Sequence, residues 1–521
     1  MSKKNQRNAN RSSAPDPSVL ASNSAPSSSP RFVPTGEATA IMPVLNGKLT
    51  PITVIGTKVI RDALDDLCIK QAINARCAPG VTNVILNPDA HGGYGAPIGC
   101  VMVSPTHIYP GPVGVDIKCS MSLLQLDLPE NAVKDKKTRR ALIEAILERT
   151  PTGAGNRKAP KGRHIDFDLG RRAVTQGASQ AVLRELGIPV EWATRCEDSF
   201  HVGHDGSADA LSSRLNRFTT TGNGSEIFRV KAAQLGSYGG GNHFGECEIV
   251  HIDESLHAKS AANVFGLRDK HVAFLSHCGS RGWGSLLAEG QFKVMQKKFA
   301  DWGIPLPGND RHMVHAPLGS PEANAYIDDM SMGANFATVN HMLINALVLE
   351  AFQEVIPGAK GNLVYFISHN IARQEVVNNT KAWVHRKGAT RAFPAQHHAL
   401  KDTPFYDTGH PILLPGNPQD GSAVMVAEPG ASLSCYSVNH GAGRRMSRTA
   451  AIKSFDQAFI DKSFTDADIL TNCRNYPMDE APRAYKDFEE VLSSVKLAGL
   501  ASEVARLKAK FVIKDGDKAD D

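Results

Sequence analysis

Apolar residues recur along this chain with two different periods, and the change from one to the other is irregular. Leu343, Ile344, Leu347, Val348, Ala351, Phe352 and Val355 fall on one face of a 3.6-residue repeat, which predicts a long helix there. Residues 137–149 and 178–186 are further predicted helices. Residues 98–103, 272–275 and 363–367 are short runs with strand character, too brief for helices. These elements do not follow the regular strand–helix rhythm of a doubly wound sheet, and no internal repeat is present, so the expected class is α+β in one large domain. Ordered structure is expected to begin near residues 38–44. Residues 1–36 are rich in Ser, Asn, Pro and Ala, with Lys3, Lys4, Arg7 and Arg11 at the front. Such a segment buries too little apolar surface to offset its ordering entropy, so a disordered tail is expected, with residues 37–521 forming the domain.

Composition narrows the picture modestly. With 521 residues, 41% hydrophobic and 21% charged, the chain reads as an ordinary soluble globular protein. Its 58 basic against 53 acidic side chains give a formal charge of +5, which permits a nucleic-acid partner without requiring one. The nine cysteines are irregularly spaced and contain no C-x-x-C pair, a pattern expected of a reducing compartment rather than of a disulfide framework. No apolar run is long enough to span a bilayer, and the N-terminus lacks a secretory h-region. A cytoplasmic monomer is the expectation.

The chemistry is concentrated in glycine-punctuated segments. Gly239-Gly240-Gly241-Asn242-His243, followed by Glu246, places an amide, an imidazole and a carboxylate beside backbone that a phosphate or a metal can approach closely. Asp89-Ala90-His91-Gly92-Gly93-Tyr94-Gly95 pairs an acid with an imidazole two residues on. In Asp116-Ile117-Lys118-Cys119 an extended backbone would send Asp116 and Cys119 to opposite faces, whereas a turn would let them converge on one ion. His277 and His369 each follow a predicted strand, where a sheet would hold the backbone rigid. By ligand softness alone, three imidazoles, a thiolate and a carboxylate suit zinc. Finally, His440-Gly441-Ala442-Gly443-Arg444-Arg445-Met446-Ser447-Arg448 sets a histidine among small residues that leave room for a bulky phosphate electrophile, with guanidinium groups following. Taken singly, His243, His277, His369 and His440 are each more often a capping or core residue than a functional one.

Taken together and in order, these segments resemble the RtcB-type RNA-splicing ligase family. The match runs through D-x-H-x-G-Y-G-x-P-I-G, V-G-V-D-x-x-C-x-M, L-G-x-x-G-G-G-N-H-F-x-E, H-x-G-S-R-G, S-H-N and H-G-A-G-R-x-M-S-R, and covers nearly everything from about residue 40 onward. The resemblance implies a catalytic domain of mixed sheets with surrounding helices. It also implies an activity that joins RNA 3′-phosphate or 2′,3′-cyclic phosphate ends to 5′-hydroxyl ends, using GTP and two Mn²⁺ ions, with archease as a candidate activating partner. Carried over residue by residue, it implies metal ligation by Asp116, Cys119, His243, His277 and His369, the thiolate bridging two ions, which replaces zinc by manganese. It implies guanylylation of His440, and nucleotide contacts by Asn242, Glu246, Asn417, Ser422, Gly441, Ala442, Gly443 and Lys486. Arg281, Lys387, Arg444 and Arg448 are the candidates for RNA phosphates. The sequence departs from the family at Lys118 and Ser120, where small glycines are usual, and at Asn417, where a serine is common; such changes fit a divergent member serving RNA repair or tRNA splicing. Two competing readings are a metal-dependent 2′,3′-cyclic phosphodiesterase and a non-catalytic RNA-binding paralogue.

Overall fold

The stripe that begins at Leu343 is the last third of a 35-residue helix, Pro321–Val355, about 50 Å long. Its start is fixed by Ser320, whose side chain accepts from the Ala323 amide, and by Pro321 in the first turn. Every residue from Tyr326 to Val348 is buried, so this helix is a core element enclosed on all sides rather than an amphipathic surface helix. It packs against the helices Lys136–Leu147, Phe167–Gln176, Ala208–Thr219 and Arg281–Trp302. The structure, a computed structural model, describes residues 31–153 and 159–518. The tail expected over residues 1–36 lies outside the described residues as far as position 30; beyond it, Val33–Pro34 already pairs with Thr39–Val44.

Two mixed sheets organise the rest, and the class is α+β. One runs in the order Val33–Pro34, Thr39–Val44, Leu49–Ile55, Asn83–Tyr94, Ala96–Ser104, Thr380–Lys387, Asn370–Val377, with a single parallel pairing between Leu49–Ile55 and Asn83–Tyr94. The other runs Gly361–Ser368, Ser120–Pro129, His271–Cys278, Phe244–Ile252, Ala501–Lys514, Gly421–Ala427, Pro411–Asn417, with Leu470–Thr471 added in parallel to Ala501–Lys514. The three runs read as strands are all strands, within Ala96–Ser104, His271–Cys278 and Gly361–Ser368. Leu124, Leu126, Val272 and Phe274 on the second sheet share one apolar cluster with Phe336, Val339, Leu343 and Leu347 of the long helix. Among the described residues, no helix is long and apolar enough to cross a membrane.

Candidate active site

Four adjacent antiparallel strands of the second sheet end at one edge, and each delivers a donor there. Ser120–Pro129 begins immediately after Cys119, and Phe244–Ile252 immediately after His243. His271–Cys278 carries His277 at its penultimate position, and Gly361–Ser368 ends one residue before His369. Antiparallel order alternates starts and ends along the edge, so four side chains far apart in sequence become neighbours. Asp116 joins them through a tight turn in which the Cys119 amide donates to the Asp116 carbonyl at 3.1 Å. That turn requires a left-handed backbone at Lys118 (φ 55°), the conformation that glycine adopts most easily. The Lys118 side chain is buried, and its Nζ reaches the Asp198 carbonyl (2.8 Å), the Thr338 hydroxyl (2.7 Å) and His201 Nε2 (2.7 Å).

Three imidazole Nε2 atoms surround the Cys119 sulfur. Sγ lies 3.4 Å from His243 and 3.2 Å from His277, His277 and His369 are 3.2 Å apart through their Nε2 atoms, and Asp116 Oδ2 is 2.7 Å from His243 Nε2. The His277 Nδ1–H donates to the Asn242 carbonyl at 3.0 Å, which leaves its Nε2 as a bare lone pair aimed at the sulfur and at His369. The second ring nitrogens of His243 and His369 are buried without a hydrogen-bond partner. Burial holds His277 and His369 neutral, and burial together with the Asp116 charge pushes the Cys119 thiol far above its ordinary range. Burial also acts to raise Asp116, but the His243 charge and hydrogen bond outweigh it and bring the carboxyl down to about 2. Converging lone pairs at these separations repel unless a cation lies between them. The donors form two triads, Asp116–Cys119–His243 and Cys119–His277–His369, each with ligand atoms within 4.8 Å, and they share the cysteine. The donor set therefore fits metal binding, with Cys119 common to both triads.

Beside this cluster lies a cavity of about 280 Å³, close to the smaller end of ligand sites. His440 lines it together with Asp116, Cys119, His277 and His369, its ring centroid 4.7 Å from that of His369. It follows the short strand Ser437–Asn439, not a helix start. The Asp89 carboxylate, fully buried on the strand Asn83–Tyr94, accepts from His440 Nδ1–H at 2.6 Å and from the His440 amide at 3.3 Å. With the ring proton fixed on Nδ1, the Nε2 lone pair is free to attack. Gly443 adopts φ 73°, and a Cβ there would lie 2.3 Å from the Asp89 carbonyl oxygen, so only glycine lets this loop close on that strand.

The cavity wall includes Asn242, Glu246, Asn417, Ser422, Gly441, Ala442 and Gly443 of the residues singled out for a nucleotide, and Lys387, Arg444 and Arg448 of those singled out for RNA phosphates. Glu246 is pushed up to about 8 by burial, against the pull of Lys514. Asn417 is spent locally: its side chain bonds Asp420 and accepts from the amides of residues 419 and 420. Lys387 donates to the carbonyls of Tyr94 and Ala96, and burial pushes it down to about 7. Arg444 and Arg448 are tied to Asp479 and Glu480. Two residues stand apart from the cavity. Lys486 lies behind Asp89, donating to the Pro88 and Ala90 carbonyls at 2.9 and 2.7 Å. Arg281 faces inward, bonded to Ser237 and to the Gly153 carbonyl. Arg281 and His243 also take the space beside Gly239, where a Cβ would collide with both.

Sequence reasoning passed over Lys514, Tyr476 and Glu480, which line the cavity. Lys514 pairs with Glu480 at 3.3 Å and donates to the His243 carbonyl at 3.4 Å. No motif flagged it, because it ends a strand, Ala501–Lys514, whose local pattern is only that of a core strand. The long helix was read for its apolar stripe, yet its polar side chains hold the site in place. Asn340 accepts from the Gly236 amide and donates to the Gly279 carbonyl, and His341 donates to the Cys278 carbonyl.

Comparison with known proteins identifies the family. The family model described as tRNA-splicing ligase RtcB matches residues 71–515. A tRNA-splicing ligase RtcB of Pyrobaculum aerophilum is 32% identical over 483 residues, covering 89% of this chain and 94% of that protein. One from Aeropyrum pernix is 33% identical, over 88% and 93% respectively. An RNA-splicing ligase RtcB homolog 1 of Entamoeba dispar is 32% identical, over 86% and 82%. A match of this extent, with the donor cluster and the Asp89–His440 pair lying inside it, places the chain in the RtcB family of tRNA-splicing ligases.

Proposed function

We propose that this chain is an RNA ligase that joins 3′-phosphate or 2′,3′-cyclic phosphate ends to 5′-hydroxyl ends through a guanylate carried on His440. Family membership supports the RNA-ligase class. The observation that carries the finer reading is the Asp89–His440 pair, whose histidine lines a cavity of about 280 Å³. Nε2 attacks the α-phosphorus of GTP, the N–P bond forms, the α–β P–O bond breaks, and pyrophosphate leaves. A ring bonded at Nε2 and protonated at Nδ1 is cationic, and the buried Asp89 carboxylate balances that charge. A cyclic end is first opened by water, whose oxygen bonds to phosphorus as the bond to the 2′-oxygen breaks and that oxygen takes a proton. An RNA 3′-phosphate oxygen then takes the guanylate, the N–P bond breaks and the lone pair returns to Nε2. The 5′-hydroxyl of the second RNA displaces GMP in the joining step.

Asp116, Cys119 and His243, and Cys119, His277 and His369, would hold two Mn²⁺ ions, which when bound supply positive charge at the reacting phosphates. Gly441, Ala442 and Gly443 leave room for the nucleotide, while Asn242, Glu246 and Ser422 offer polar groups in the lining of the same cavity.

The test is incubation with α-labelled GTP, Mn²⁺ and paired RNAs, wild type beside His440→Ala. Label on the wild-type chain, none on the variant, and GTP-dependent joining are expected. Opening of a cyclic end without GTP and without label would favour the phosphodiesterase reading, and RNA binding indifferent to metal and to Cys119 would favour the non-catalytic one.

A further inference from the structure

A second, open groove of about 440 Å³ adjoins the cavity and shares His91, Ile98, Arg444 and Arg448 with it. Its outer wall is formed by Asp65 and Leu67 at the start of the helix Asp66–Cys77, by Gly92, and by Arg445, Met446 and Ser447. Leu67 is 52% exposed, an apolar surface suited to a base or a ribose.

Three features of this groove stand outside the chemistry assigned so far. First, His91 Nδ1–H donates to the Asp89 carbonyl at 2.8 Å, so its Nε2 carries a lone pair that no described residue engages. Burial lowers the His91 ring to about 4, so it is uncharged at neutral pH and the Nε2 lone pair is not already protonated. Second, Arg444 and Arg448 are neutralised by Asp479 and Glu480, whereas the exposed guanidinium of Arg445 has no hydrogen-bond or ion-pair partner among the described residues. Third, His91 sits at the junction of groove and cavity, two residues from the Asp89 that orients His440.

We propose that this groove seats the RNA strand ending in the 5′-hydroxyl, with Arg445 on its first phosphate and His91 Nε2 as the base that takes the hydroxyl proton. The inference rests on the ligase reading above. In this step the 5′-oxygen bonds to the activated 3′-phosphorus and the bond from that phosphorus to the guanylate oxygen breaks. GMP leaves with the electron pair, and the hydroxyl proton passes to Nε2. The 3′-phosphate oxygen that takes the guanylate has no proton to lose in that step, whereas the 5′-hydroxyl must lose one as it attacks. An uncommitted base next to an uncommitted guanidinium matches the hydroxyl strand.

The experiment follows label on the full-length chain, on the RNA 3′ end and in joined RNA, using α-labelled GTP, Mn²⁺ and two separately titrated RNAs. His91→Gln is expected to slow joining about a hundredfold more than it slows label transfer to the 3′ end, so guanylylated RNA accumulates. Arg445→Ala is expected to raise roughly tenfold the concentration of 5′-hydroxyl RNA needed for half-maximal joining. Because Arg445 is exposed, its variant carries the test should His91→Gln be unstable. Joining that falls only in step with label transfer, or an Arg445→Ala effect on the 3′-phosphate strand instead, would overturn the proposal. Absence of label on the wild-type chain would overturn the ligase reading itself, and this inference with it.

Discussion

Asp89→Asn is the substitution that tests the nucleophile most sharply, because it changes one atom of a fully buried side chain. Asp89 Oδ2 accepts from both the ring and the amide of His440, while Oδ1 has no partner. An asparagine can place its amide in two ways, and neither reproduces this arrangement. With the NH₂ toward His440 it faces the backbone N–H as donor against donor, and it forces the ring proton onto Nε2, removing the attacking lone pair. Turned around, the tautomer survives, but the NH₂ is buried where Oδ1 now finds no partner and the balancing charge is gone. The expected loss in the guanylylation rate is roughly 10³-fold, equivalent to about 4 kcal/mol of transition-state stabilisation. An unmet buried donor costs a further 1–3 kcal/mol or so in folding stability. Rapid-quench measurement of label on the chain at saturating GTP gives the rate, and a thermal melt separates it from unfolding. A folded Asp89→Asn protein that takes up label within about threefold of the wild-type rate would refute the assignment of Asp89 as the group that orients His440.

Other outcomes follow from the same geometry. Cys119→Ala removes the donor common to both triads and should weaken Mn²⁺ binding at least about a hundredfold, read by calorimetric titration; two sites of unchanged affinity would contradict the shared-thiolate arrangement. Glu246 has its folded-state carboxyl raised from 4.5 to about 8 by burial, so the folded chain holds the proton more tightly than the unfolded chain. Its contribution to stability is therefore fully present below about 4.5 and lost as pH rises toward 8, and Glu246→Gln should flatten that decline in denaturant melts across the window. Gly443→Ala places a methyl 2.3 Å from the Asp89 carbonyl at a left-handed backbone position. It should cost at least about 1–2 kcal/mol in stability and slow guanylylation, measured by melting and label uptake.

Which parts of this architecture were legible in the sequence follows from the range of the interactions. The helix stripe and the three short strands were readable because periodicity is local, and the helix Pro321–Val355 and the strands His271–Cys278 and Gly361–Ser368 lie where the pattern put them. The clustering of Asp116, Cys119, His243, His277 and His369 was reached through resemblance, since no local pattern says that four strands end at one edge. The turn needed at Lys118 was foreseen as a condition for Asp116 and Cys119 to converge, though its glycine-like φ at a lysine was not. Asp89 was noted as an acid near His91, but its partner lies 351 residues away and could not be read from the chain. Lys514 and Glu480 were missed for the same reason, and the shielded positions of Lys486 and Arg281 depend on which carbonyls the fold turns toward them. Spacing reveals what a residue can do, whereas long-range pairing decides what faces it.

The central claim is that the Nε2 of His440 carries the guanylate, and it has an identifiable rival. Lys387 lines the same cavity with an amine that burial lowers to about 7, which makes it a competent nucleophile at neutral pH. Peptide mass spectrometry of the full-length chain after incubation with GTP and Mn²⁺, quenched without acid to preserve a phosphoramidate, distinguishes them. The account predicts one guanylate on the peptide containing His440 and none in His440→Ala; a guanylate on Lys387, or one that survives in His440→Ala, would contradict it.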